Sequence, residues 1–377
     1  MFNHFHGDPR LRHWAEVIVD FCTKVQPEER VEITGEFGGK PLMLELYRRC
    51  LEIGAYPILK PSFGETSEIF YDLANDDQLK HVSEVTRFET EHTHVSLHVL
   101  AESNTRNLTK VDPSRIAKVR KARQEISRIR KEKVRWNVTS YPTHAYAQDA
   151  NMSLTDLAEL IFSAGLLNNE NPLQEWQRLR DRQRKMTKLL QGTKAFRVET
   201  ADCDLTMGVE GRKICESSGA VNMPDGEIYT GPVETEVNGR IKFSFPGYYI
   251  GQVVEGIDLE FKNGKVVKAS ASSNEPFLME MLGTDDGAKR IGELGIGTNW
   301  GVNRFTKNLL FDEKMGGTIH LALGESYSET LGQNRSAIHW DILHDLRDGG
   351  RLYADSDVLM ENGEFQGRFA EVWNEAI

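Results

Sequence analysis

The chain has 377 residues, 39% of them hydrophobic and 27% charged, with a formal net charge of -11. That length exceeds one typical domain, so two are expected, each long enough to bury a core. The acidic balance argues against general nucleic-acid binding, which needs a surplus of lysine and arginine, and no apolar run reaches the length of a membrane span.

Met1-Phe2-Asn3-His4-Phe5-His6-Gly7-Asp8 lacks the basic and apolar regions of a signal peptide, so a cytoplasmic location is expected. From Pro9 to about Pro27, Leu11, Trp14, Ala15, Val17, Ile18 and Phe21 recur at helical spacing, and Val31-Glu32-Ile33 follows as a short strand. A helix over about Pro41 to Ile53 precedes the strand Tyr56-Pro57-Ile58-Leu59. His94 to Leu100 and Val134 to Val138 continue the alternation. Helices between short apolar strands imply parallel pairing, because parallel neighbours need crossover connections. Residues 1–192 are therefore expected to form an α/β domain with a mainly parallel sheet, closed by helices near Leu154 to Ala164 and Leu173 to Leu190. Between Arg115 and Arg135 basic residues gather without interleaved aromatics, which reads as a solvated helix face. His92, His94 and His98 lie near no carboxylate in a ligand pattern and read as satisfied or solvent-facing. Cys22, Cys50, Cys203 and Cys215 show no C-x-x-C spacing and read as reduced structural thiols.

After Gly192 the texture changes. Asn238-Gly239, Asn263-Gly264 and Asn362-Gly363 each sit between alternating apolar runs, a signal for two-residue hairpins. Residues 193–377 are expected to be an α+β domain rich in antiparallel strands, with a helix near Asn274 to Met281, and to carry the functional site. Thr318-Ile319-His320-Leu321-Ala322-Leu323 alternates with Ile319, Leu321 and Leu323 on one face and His320 on the other. Ser336 to Asp341 repeats the pattern, with Ile338, Trp340 and Ile342 opposite His339 and Asp341. Two imidazoles and a carboxylate are ligands that zinc, cobalt, manganese and ferrous iron accept. His344-Asp345 reads as a strand end. Glu227 follows the Pro224-Asp225-Gly226 turn, and Glu293 enters the glycine-rich run Gly292 to Gly301; taken alone, each reads as a surface residue. The spacing of Gly295, Gly297 and Gly301 does not fit a dinucleotide loop, so this backbone is expected to pass close to metal ions.

As a set, these motifs resemble the metallo-aminopeptidases of the aminopeptidase T type, and the likeness spreads over most of the chain. The Asn-x-Pro-x-x-Glu segment falls on Glu227, Gly-Glu-Leu-Gly-Ile-Gly-Thr-Asn on Glu293, His-x-Ala-x-Gly-x-x-Tyr on His320 and Tyr327, and His-x-Asp on His339 and Asp341. The resemblance implies five metal ligands, Glu227, Glu293, His320, His339 and Asp341, holding two divalent ions per chain, zinc, cobalt or manganese. Three carboxylates suit two ions, and a bridging carboxylate holds them at roughly 3.5 to 4 Å. Glu293 is assigned the bridge, with Asp341 and Glu227 as alternatives. By spacing alone Tyr327 is equally an interfacial ring or an oxyanion donor, and the resemblance favours the donor. The implied activity is removal of N-terminal residues from short peptides, by metal-hydroxide attack on the first peptide carbonyl, in a homodimer. The rival is a mononuclear iron ring-cleaving dioxygenase using His320, His339 and Asp341, which needs neither Glu227 nor Glu293.

Overall fold

The computed structural model describes residue 5 and residues 7–375. Its contacts divide into two compact units. One reaches to Trp176 and takes in Gly219–Pro224; the other holds Gln177–Ser218 and the described residues from Asp225 onward. This division differs from the 192/193 boundary read from composition, because it falls inside the helix Pro172–Leu190 and because the chain returns briefly to the first unit.

The first unit is built on β1 (Arg30–Glu36), β2 (Tyr56–Ser62), β3 (Val95–Leu100) and β4 (Arg135–Ser140), all parallel, in the order β2-β1-β3-β4. Residues Asn222–Met223 extend it beside β4, which is why that short segment belongs to this unit. Helices such as Lys40–Ile53, between β1 and β2, supply the crossovers that parallel pairing requires. The helix from Pro9 is α-helical to Glu16 and π-helical over Val17–Cys22, where Val17, Ile18, Val19, Phe21 and Cys22 are all buried. The basic segment forms the helices Pro113–Ala122 and Gln124–Lys133, and much of its charge is answered locally. Lys118 pairs with Asp76, Arg130 with Glu32, and Arg115 donates to the carbonyls of Tyr71 and Ala74. His94 accepts from the Arg30 amide and His98 meets the Thr34 hydroxyl, so these rings are satisfied. All four cysteines are buried.

Besides a two-stranded antiparallel ribbon, Gly247–Tyr249 with Gln252–Val254, the second unit carries two larger antiparallel sheets. Eight strands between Ala195 and Phe365 form the larger one. Asn263-Gly264 and Asn362-Gly363 are its hairpin turns, as expected. Asn238-Gly239 is not a turn: it lies inside the strand Val237–Lys242. A Cβ at Gly239 would stand 2.1 Å from the Asp204 carbonyl oxygen, and its φ is +123°, so glycine here permits close strand approach. The smaller sheet contains β5 (Cys215–Ser217), β6 (Glu227–Thr230), β7 (Ile291–Gly297), β8 (Thr318–Gly324) and β9 (His339–Asp345), in the order β9-β8-β7-β6-β5. Its apolar face presents Leu294 and Ile296, Ile319, Leu321 and Leu323, and Trp340 and Ile342, all buried. That burial fixes the register, because a one-residue slip would exchange the two faces of every strand.

Candidate metal centre

The opposite face of the smaller sheet collects the polar residues singled out in the sequence. Period-2 alternation places Glu227 and Tyr229 of β6 on it, His320 and Ala322 of β8, and His339 and Asp341 of β9. Glu293, Ala322 and Asp341 form one row across three strands, and Gly295 stands opposite His320. Glu293 reaches this face through a bulge. Ile291 pairs with Leu323 and Glu293 with Ala322, so the extra residue Gly292 reverses the direction of the side chains that follow. Gly295 makes room for the imidazole: a Cβ there would lie 2.1 Å from His320 Nε2. The glycine-rich run thus serves close approach to a ligand-type side chain rather than phosphate binding.

The distances are those of a convergent donor set. His320 Nε2 lies 3.5 Å from Glu227 Oε2 and 3.7 Å from Glu293 Oε1, while His339 Nε2 lies 3.3 Å from Glu293 Oε2 and 3.5 Å from Asp341 Oδ1. Glu227, Glu293, His320 and Asp341 are buried. His339 donates its Nδ1 proton to the Glu325 carbonyl oxygen at 2.8 Å, which leaves Nε2 facing the carboxylates. Three groups of ligand atoms each fall within 4.8 Å of one another: Glu227 with Glu293 and His320, Glu293 with His339 and Asp341, and Glu313 with His320 and Asp341. Glu227 Oε2, His320 Nδ1 and Asp341 Oδ1 have no hydrogen-bond partner among the described residues. Buried polar atoms are rarely left so, and carboxylate and imidazole donors converging around them fit a divalent cation.

Sequence reasoning missed Glu313 and Lys314, which follow the short helix Leu309–Asp312. Lys314 is 1% exposed, with Nζ 2.7 Å from Glu227 Oε1, 2.7 Å from Glu313 Oε1 and 3.5 Å from Asp225 Oδ1. The available signal was the charged run Asp312-Glu313-Lys314 just before the His320 strand. Gln183 was also missed; its amide donates to the Glu227 carbonyl oxygen and the Thr298 hydroxyl, fixing the start of β6. Tyr327 lies just beyond β8, 43% exposed, with its ring centroid 4.8 Å from that of His339. His344 points away from the centre, toward Thr200 and Phe243.

The electrostatics of the chain by itself are those of carboxylates held by protons and one ammonium. Burial pushes Glu227 up to about 8, against the pull of Lys314. Burial also acts upward on Glu293, but the facing imidazoles of His320 and His339 outweigh it and bring the carboxyl below its ordinary value. Asp341 falls to about 2 because His339 overcomes its burial. Burial opposes charge on both imidazoles, yet Glu293 and Glu227 raise His320 to about 9, and Asp341 with Glu293 raises His339 to about 12. Tyr327, although its side chain is partly exposed, is raised by desolvation and then by Glu293 and Asp341, so its phenol stays protonated.

A sheet face lined by buried acids and imidazoles has the donor chemistry of a divalent-metal centre, and comparison with known proteins gives the class of the chain. The sequence profile of the thermophilic metalloprotease (M29) family matches residues 7–365, and the chain belongs to that family. Aminopeptidase 2 of Geobacillus stearothermophilus is 26% identical over 89% of this chain and 92% of its own length. Aminopeptidase T of Thermus aquaticus is 26% identical over 67% and 69%. In fold, the chain is similar to wild-type AmpT from Thermus thermophilus, with a TM-score of 0.79, 22% identity, and coverage of 95% of this chain and 99% of that one. The protein is thus a metal-dependent peptidase with aminopeptidases among its relatives. The oxygenase reading finds no support in these likenesses.

The signs of the imidazole shifts give a pH dependence. Both histidines have folded values above the unfolded value of about 6.5, so their contribution to stability is complete below that pH. The His320 share is lost as pH rises through about 9, and raised Glu227 acts with the same sign. Chelator-treated protein should therefore lose thermal stability from about pH 6.5 to pH 9. Replacing His320 by Gln should flatten that slope; a Tm constant or rising over this window in the parent would contradict the electrostatic description.

Proposed function

We propose that the protein is a two-metal aminopeptidase releasing N-terminal residues from short peptides, with Glu227, Glu293, His320, His339 and Asp341 as metal ligands and Glu313 joining them. The observation that carries this reading is the position of Glu293. Its two oxygens address different imidazoles, Oε1 toward His320 and Oε2 toward His339, as a carboxylate bridging two ions must. Nitrogen and carboxylate-oxygen donors suit zinc, cobalt or manganese. When bound, two such ions would lower the pKa of water and polarise the first peptide carbonyl.

The remaining work falls to the chain's own groups. Tyr327, protonated and with its ring tilted against that of His339, would donate a hydrogen bond to the oxygen that gains charge during attack. The site carboxylates offer the α-amine of the substrate an anionic surface, which would select peptides by their free N-terminus. Short peptides as substrates and a homodimer belong to the same reading and rest on the family likeness; a cytoplasmic setting is proposed with them. No helix among the described residues is long and apolar enough to cross a membrane. A one-iron site on His320, His339 and Asp341 would not need Glu293, whose two oxygens face both imidazoles.

Tyr327→Phe should keep fold and metal content while lowering kcat by about 10² to 10³, the scale of one lost oxyanion donor. A rise in KM at constant kcat would move Tyr327 to ground-state binding. The peptidase assignment is tested by substrate: a dipeptide or amino-acid anilide with a free amine should be cleaved without oxygen, and its acetylated form should not. Equal cleavage of both would remove the exopeptidase reading, and ring cleavage with oxygen uptake under ferrous iron would replace it.

A further inference from the structure

Lys314 contacts only part of the donor set. On one side, Glu293, His339 and Asp341 converge with no ion pair to Lys314 among the described residues. On the other, the ammonium holds one oxygen of Glu227 and one of Glu313, both at 2.7 Å, with Asp225 behind it at 3.5 Å. Those distances are those of short charge-assisted hydrogen bonds, and the lysine is closed off from water. A divalent ion drawn to Glu227 and Glu313 therefore meets carboxylates that already carry a cation. It must either use their remaining oxygens or displace the ammonium, and in a buried site the repulsion between the two cations is poorly screened. An ion held by Glu293, His339 and Asp341 meets no lysine in direct contact; it displaces only the His339 proton, which can leave to water, whereas the Lys314 ammonium stays tethered in the site.

We propose that Lys314 is a resident cation of the centre, which makes the Glu227–Glu313 side the weaker of two metal subsites and the Glu293–His339–Asp341 side the tighter. Lys314 is thus a positioning residue acting through Glu227 and Glu313. This inference rests on the two-ion reading above and adds an order of filling to it. Lys314 also supplies positive charge to a face with five carboxylates, Asp225, Glu227, Glu293, Glu313 and Asp341, so that one ion suffices for partial neutralisation and a second completes it.

The test is a calorimetric titration of chelator-treated full-length protein with zinc or manganese, with metal analysis of the saturated samples. The parent should bind one ion at least roughly tenfold more tightly than the second, and Lys314→Met should tighten the second by roughly tenfold or more while changing the first little. Lys314→Gln, which keeps donors and removes the charge, gives the same comparison where the methionine variant does not fold. Two ions of equal affinity in the parent, or a second affinity unchanged or weakened in the variant, would overturn the role of Lys314 and leave the two-ion reading standing. One ion in both proteins at saturation would instead remove the two-ion reading, and the inference with it.

Discussion

The structure turns on the cost of burying carboxylates. Glu227, Glu293 and Asp341 lie on one face of a five-stranded sheet, nearly closed off from water, and like charges so placed are tolerated only with counter-charge at hand. The chain supplies part of that charge itself, through protonated His320 and His339 and through Lys314, which is why the imidazole values stand so far above the ordinary range. Divalent ions would take over the role of the protons, and the same acids that make the bare chain strained in charge make it a strong ligand set.

The rest of the second unit keeps those side chains in register. Leu294, Ile296, Ile319, Leu321, Trp340 and Ile342 commit the other face of the sheet to the core, so His320, His339 and Asp341 have no alternative direction. Small residues on the polar face, Gly295 and Ala322, leave the volume in which the rings and carboxylates meet. The bulge at Gly292 turns Glu293 inward, placing its two oxygens between the two imidazoles. Rigid strands rather than loops carry five of the donors, which gives the precision that a metal centre requires.

Much of this was legible in the sequence where it depended on a two-residue period. The alternation around His320 and around His339 and Asp341 gave both the strands and the side-chain directions, and the N-terminal alternation of helices with apolar strands gave the parallel sheet. Glu227 and Glu293 were not legible from local pattern, since a glutamate after a turn or beside a glycine is ordinarily exposed, and only the motif likeness singled them out. Glu313 and Lys314 escaped because they follow a four-residue helix in an irregular segment, where no period says which way a side chain points. The Asn238-Gly239 dipeptide misled for a related reason: it fits a turn, but the approach of Asp204 from the neighbouring strand decides its conformation. The unit boundary was blurred because a helix spans it and a two-residue strand crosses back.

The most direct test of a two-ion centre on this sheet face is anomalous diffraction from crystals of the protein grown with zinc or manganese. The account predicts two peaks bridged by the Glu293 carboxylate, with donor atoms of Glu227, His320, His339 and Asp341 at about 2.0 to 2.2 Å. Peaks confined to other residues, or a single ion at this face, would contradict it.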